Sequence, residues 1–154
     1  MATEIERKYL VVDDSWRSGA VGTLFRQGYL STVKERTVRV RVAGDCGFLT
    51  IKGITVGAVR SEFEYEIPQA DADQMLNELC ERPLIEKTRY AIEACDLTWE
   101  IDEFAGVNDG LIIAEVELED ETQRVALPDW VGAEVTDDPR YFNSHLIAHP
   151  FSEW

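Results

Sequence analysis

Cysteine is scarce in this chain: Cys46, Cys80 and Cys95 are the only three among 154 residues, and no two form a CxxC pair. That excludes a disulfide framework and a zinc knuckle, and it fits a reducing compartment. Histidine is scarcer still, with two residues, and proline numbers five. No apolar run approaches the ~20 residues that a membrane-spanning helix needs. The N-terminal MATEIERKYLV has charges where a signal peptide keeps its apolar core, so the sequence points to a cytoplasmic protein. Cations are outnumbered two to one, 15 Lys and Arg against 30 Asp and Glu, for a net charge of −15. A field of that sign repels nucleic acid and anionic membrane, and neither is expected as a partner. Any anionic ligand would need cations gathered locally against the overall field.

What is present is strand pattern. The hydrophobic share of 45% and charged share of 29% are those of a globular chain, and the length suits a single domain over residues 1–154. Period-two alternation predicts strands at about 3–12, 23–33, 36–44, 47–54, 58–67, 84–94, 97–105 and 110–120. Helices are few. Residues 71–81 read as one, with Asp71 as cap and Met75, Leu76, Leu79 and Cys80 as its apolar stripe. A C-terminal helix is expected over about 138–148, opened by Asp138-Pro139. Shorter ones are expected at 13–18 and 128–132. The fold class is therefore α+β, mainly β: a barrel or a β-rich domain with a few peripheral helices.

The charges follow the alternation. Arg39 and Arg41 share one strand face, and Val38, Val40 and Val42 the other. Arg60, Glu62, Glu64 and Glu66 oppose Phe63, Tyr65 and Ile67. Lys87 and Arg89 alternate with Thr88 and Tyr90, Glu100 and Asp102 flank Ile101, and Glu115, Glu117 and Glu119 alternate with Val116 and Leu118. Glu4, Glu6 and Lys8 do the same around Ile5 and Arg7, which leaves Arg7 outward. On one strand such a pattern marks a solvated face. Here nearly every strand repeats it, and the signs are sorted, some strands carrying cations and others carboxylates. Same-sign neighbours on one face repel, a cost that a bound ligand or metal would offset. Turned inward, the two sets would hold a polyanion on Arg and Lys and a hard divalent cation on carboxylates.

The run Glu4-x-Glu6-x-Lys8 resembles the ExExK signature of the CYTH superfamily, the triphosphate tunnel metalloenzymes. Arg39-x-Arg41, Leu49-Thr50-Ile51-Lys52, Arg60-Ser61-Glu62-Phe63-Glu64, Lys87-Thr88-Arg89-Tyr90, Asp102 and Glu115-Val116-Glu117 follow in the order of its short bacterial members. The resemblance implies an eight-stranded antiparallel β-barrel whose tunnel binds a triphosphate. It implies that Lys8, Arg39, Arg41, Lys52, Arg60, Lys87 and Arg89 hold phosphate. It assigns Glu4, Glu6, Glu115 and Glu117 to a divalent metal, Mg²⁺ or Mn²⁺. Lys8, Glu62, Glu64 and Asp102 are then the candidate catalytic residues. The leading activity is metal-dependent hydrolysis of inorganic tripolyphosphate. Thiamine triphosphate, a nucleoside triphosphate, adenylate cyclisation and non-catalytic polyphosphate or nucleotide binding are the alternatives. A homodimer is compatible with the pattern.

Other residues have plainer readings. His145 and His149 lack a third ligand and read as solvated. Trp16, Trp99, Trp130 and Trp154 read as core or rim, and Cys80 as core. Of Arg26 and Tyr29, opposite in parity on one strand, only one can face inward.

Overall fold

The computed structural model describes residues 3–154. Nine strands form: β1 (Thr3–Val11), β2 (Gly22–Ser31), β3 (Thr37–Ala43), β4 (Cys46–Lys52), β5 (Val59–Ile67), β6 (Ile85–Ala94), β7 (Leu97–Phe104), β8 (Ile112–Glu117) and β9 (Val131–Glu134). Among the described residues one α-helix, α1 (Gln69–Glu78), lies between β5 and β6. The strand order β5-β4-β3-β2-β6-β7-β8-β1 closes on itself through β1 and β5. Every pairing is antiparallel, so the molecule is a closed eight-stranded barrel. The closing seam is short: Thr3↔Ser61, Glu4↔Arg60 and Ile5↔Val59. Further along the same edge of β1, β9 takes over at Tyr9↔Glu134 and Val11↔Val131.

The hairpins follow local chemistry. Gly44, with φ 57°, opens the two-residue β3–β4 turn, as a type II′ turn requires. Cys95 and Asp96 both adopt positive φ, 52° and 63°, in the β6–β7 turn, which is the type I′ geometry that matches strand twist.

Apolar faces turn outward and are covered. Tyr9, Trp16, Trp99, Ile101, Val116 and Trp130 form one buried cluster outside β7, β8 and β1, with Trp99 and Trp130 packed edge to face at 5.6 Å. Three of the four tryptophans are thus core, and Trp154 is partly exposed. Helix α1 packs Ala72 and Leu76, with Cys80 just beyond its end, on Val40 and Val42. Gly47 of β4 permits this, because a Cβ there would sit 2.9 Å from that of Ala72. A third cluster, including Tyr29, Ile85, Phe104, Ile113, Tyr141 and Leu146, fills one end of the barrel.

Helix expectations needed correction. The helix expected at 71–81 begins earlier, after Pro68, and Asp71 lies in its first turn without capping it; Pro68 with an extended ψ already sets the turn. The stretch 128–132 is a turn leading into β9, because Trp130 drops into the Trp99 cluster and Val131 pairs with Val11. At 13–18 only a 3₁₀ turn, Ser15–Arg17, forms. The helix expected at 138–148 is two 3₁₀ turns, Pro139–Tyr141 and His145–Ile147. Phe142 between them is extended, with ψ 129°. That break aims Asn143 into the barrel, where its amide oxygen accepts from Gln27 at 2.9 Å and Lys87 at 3.0 Å.

Candidate active site

Alternation turns the charged face of almost every strand inward around a polar cavity of about 200 Å³. Lys8, Arg39, Arg41, Lys52, Arg60, Lys87 and Arg89 all line it, as do Glu4, Glu6, Glu62, Glu64, Glu115 and Glu117. Register places unlike partners side by side: Glu4 opposite Arg60, Lys52 opposite Glu62, Arg89 opposite Asp102. It also places like charges together, Glu6 opposite Glu117 and Glu100 opposite Glu115.

Asp102 is the predicted site residue that does not line the cavity. It lies behind the cations, fully buried. Its oxygens accept from Lys87 Nζ at 2.7 Å and from Arg89 Nε and Nη2 at 2.7 and 2.8 Å. Burial alone would raise its pKa, but the Lys87 ammonium and the Arg89 guanidinium more than reverse that and hold it well below the usual carboxylate range. Asp102 therefore positions Lys87 and Arg89, which face the cavity, and does not face it itself.

The remaining cations are held more loosely. Lys52 Nζ sits 3.0 Å from Glu4 and 3.5 Å from Glu62. Lys8 Nζ is 3.9 Å from Glu115 and donates to the Tyr141 carbonyl at 3.4 Å. Arg39 reaches Glu64 at 3.5 Å, and its buried Nε has no partner. Arg60 donates to the Gly53 carbonyl at 3.0 Å and to Thr37 Oγ1 at 3.2 Å. Arg41 differs from all of these. Among the described residues no carboxylate lies within ion-pair distance of it; Gln27 Oε1 accepts from its Nε at 2.9 Å, and its guanidinium lies 4.8 Å from the Phe25 ring centre. Burial, with Arg39 and Arg89 nearby, pushes its pKa down to about 9. Burial pushes Lys87 down to about 7, against the pull of Asp102.

The carboxylates show the opposite stress. Burial, then Glu115, raises Glu6 to about 7. Burial and Glu62 raise Glu4, although Lys52 opposes them. Burial, Glu4 and Glu100 raise Glu117. Three neighbouring carboxyls resist ionisation because burial and one another's charge outweigh the pull of Lys8 and Lys52. Their hard oxygens suit a divalent cation, although among the described residues no three acidic, histidine or cysteine groups converge into a ready-made cage.

Six further residues line the cavity: Tyr29, Thr37, Glu100, Phe142, Asn143 and Ser144. Glu100 alternates with Asp102 and was legible as an inward anion. Tyr29 takes the inward place on β2, while Arg26 turns out to Asp73 of α1 at 3.5 Å. Gln27 supports Arg41 from the same face, yet nothing in a lone glutamine marks it as a site residue. Phe142 to Ser144 arrive from the far end of the chain, which no strand pattern could reveal. His145 and His149 stack at 4.6 Å on the outside.

A family model, the CYTH domain, matches residues 2–143. An inorganic triphosphatase of Acetivibrio thermocellus is 51% identical over 154 residues, covering 100% of this chain and 99% of the relative. An inorganic triphosphatase of Nitrosomonas europaea is 39% identical over 149 residues, covering 94% and 96%. A crystal structure of an inorganic triphosphatase superposes with a TM-score of 0.65 at 35% identity over 93% of this chain and 96% of its own. A Pyrococcus horikoshii protein, 18% identical over 77% of this chain and 80% of its own, shares the fold with a TM-score of 0.59. With the model match spanning almost the whole barrel and two relatives matching along nearly their full length, the chain belongs to the CYTH domain family.

Proposed function

We propose that this protein hydrolyses inorganic triphosphate to diphosphate and orthophosphate with the help of a divalent metal, Mg²⁺ or Mn²⁺. One observation carries the reading. Arg41 is a buried guanidinium with no carboxylate partner, set beside Arg39, Arg89 and Lys87. A charge so placed is costly unless an anion completes it, and phosphate oxygens match guanidinium geometry. The near relatives that carry the name inorganic triphosphatase agree with it.

In this reading Arg39, Arg41, Lys87 and Arg89 hold the buried end of the substrate. Lys8, Lys52 and Arg60 hold the rest. Glu4, Glu6, Glu115 and Glu117 would bind the metal, which supplies charge neutralisation on the phosphate chain when bound. Glu62 and Glu64, which line the cavity, would orient water and take its proton. Water oxygen bonds to the terminal phosphorus, the bridging P–O bond breaks, and its electron pair leaves with diphosphate. The cations stabilise charge on that leaving group. Asp102 holds Lys87 and Arg89 in line.

The cavity also argues against a large organic substrate. Its aromatic lining is Tyr29 and Phe142 alone. Tyr29 is buried, and Phe142 already faces the Lys8 ammonium at 5.3 Å. Neither offers a free platform for a base or a thiazolium ring. Among the described residues no helix is long and apolar enough to cross a membrane, and three free cysteines fit the cytoplasm as the site of action.

The test is product analysis. Tripolyphosphate, thiamine triphosphate and ATP are offered with Mg²⁺, Mn²⁺ or a chelator, and orthophosphate, diphosphate and cyclic AMP are measured. Metal-dependent orthophosphate from tripolyphosphate, above the other two, is expected. Cyclic AMP from ATP would overturn hydrolysis, and silence with every metal would overturn catalysis.

A further inference from the structure

The outer faces of β3, β4 and β5 carry no charge. Alternation sends Arg39, Arg41, Lys52, Arg60, Glu62, Glu64 and Glu66 of these strands to the tunnel side. The outward positions are Val38, Val40, Val42, Gly47, Leu49, Ile51, Ser61, Phe63, Tyr65 and Ile67, in a protein of net charge −15. Helix α1 covers Val40, Val42 and parts of Leu49 and Ile67. The row Val38–Ile51–Phe63, set by register, lies beyond its reach, with Tyr65 beside it. Ile51, Phe63 and Tyr65 are 38%, 47% and 57% exposed. The β4–β5 loop at the same end adds Ile54 and Val56, 48% and 71% exposed. Single exposed apolar residues are ordinary, but a contiguous patch with two aromatic rings is an interaction surface.

We propose that this face is the interface of a homodimer. Charge selects the occupant and its orientation. The chain repels most of its own surface, and this is a face on which two copies meet without apposed carboxylates. The β2–β3 loop at one end of the face presents exposed Lys34 and Arg36 on either side of an exposed Glu35, a net charge of one positive, and the first turn of α1 at the other end presents exposed Asp71. A two-fold axis across the strands sets the basic loop of each copy against the acidic turn of the other. An axis along the strands would instead pair Asp71 with Asp71. Packing is face to face, as in a β-sandwich. Edge pairing through β5 is disfavoured, because a two-fold antiparallel pair centred on Tyr65 would set Glu64 of each copy against Glu66 of the other.

Sedimentation equilibrium of the whole chain at micromolar concentration is expected to return twice the monomer mass. The double variant Phe63→Glu, Tyr65→Glu is expected to sediment as a monomer with unchanged circular dichroism and unchanged triphosphate hydrolysis. Both side chains are about half exposed and neither belongs to a buried cluster, so the barrel is expected to fold without them. Lys34→Asp is expected to weaken association about tenfold, and adding Asp71→Lys to restore it. A monomeric wild type would overturn the proposal. So would a dimer that survives the double variant, or a Lys34→Asp defect that Asp71→Lys does not repair. Hydrolysis is measured on the same samples, so an inactive protein that still dimerises leaves this proposal standing and removes only the functional one.

Discussion

Lys87 Nζ lies 2.7 Å from Asp102 Oδ2, and neither side chain is open to water. Arg89 closes on the same carboxylate from β6 at 2.7 Å. One anion thus anchors two cations whose charges would otherwise push apart across the tunnel wall. Asp102→Asn leaves the buried Lys87 ammonium without its carboxylate, while Arg89 keeps only Glu100 at 3.0 Å and Glu115 at 3.9 Å. The expected loss is about 3–5 kcal/mol of unfolding free energy without ligand. Denaturant unfolding measures it, and added tripolyphosphate should recover more stability in the variant than in the wild type, since the ligand supplies the missing negative charge.

Glu6 gives a pH dependence. Its pKa in the folded protein is raised to about 7 from 4.5. Only the ionised form can bind metal, so the metal-dependent rate is expected to climb as pH rises through about 7, and Glu6→Gln to abolish most of the rate along with that climb. The sign for stability is the reverse. A raised carboxyl favours the fold below its unfolded pKa, and that contribution is lost between about 4.5 and 7 in metal-free protein. Melting temperature against pH, with chelator and with Mg²⁺, should show the fall and its relief.

Asn143 joins the C-terminal segment to the cations of the cavity by accepting from Lys87 and Gln27. Replacing it with Ala removes a partner from a buried ammonium, at about 1–3 kcal/mol. The expected result is a kcat/KM for tripolyphosphate lowered by about tenfold or more. Asn143→Asp should suffer less at the level of stability, because it still accepts.

The β6–β7 turn offers a gain. Cys95 and Asp96 hold positive φ without being glycine. Changing the pair to Asn-Gly, the preferred type I′ sequence, should stabilise the barrel by about 1 kcal/mol with unchanged hydrolysis. Thermal unfolding checks it.

The barrel and most of the cavity were legible in the sequence because β-strand side chains alternate with a period of two. Once Arg39, Arg41, Lys52, Lys87, Arg89, Glu115 and Glu117 occupy one parity and valines and isoleucines the other, the charged face is known, and the hydrophobic effect does the rest. What alternation cannot say is which face closes inward and what lies beside what. The resemblance made Asp102 a candidate catalyst, and alternation had no means of seeing it behind Lys87 and Arg89. It overlooked Gln27, whose meaning comes from Arg41 on the neighbouring strand. It read a helix at 138–148, where local preference yields to the bonds Asn143 makes inside the barrel. Pairing register and burial are long-range properties. The sequence by itself determined which side chains share a face; only the tertiary structure decided that Arg41 is left without a carboxylate and Asp102 is filled with two cations, because those facts depend on strands far apart in the chain meeting around one closed sheet.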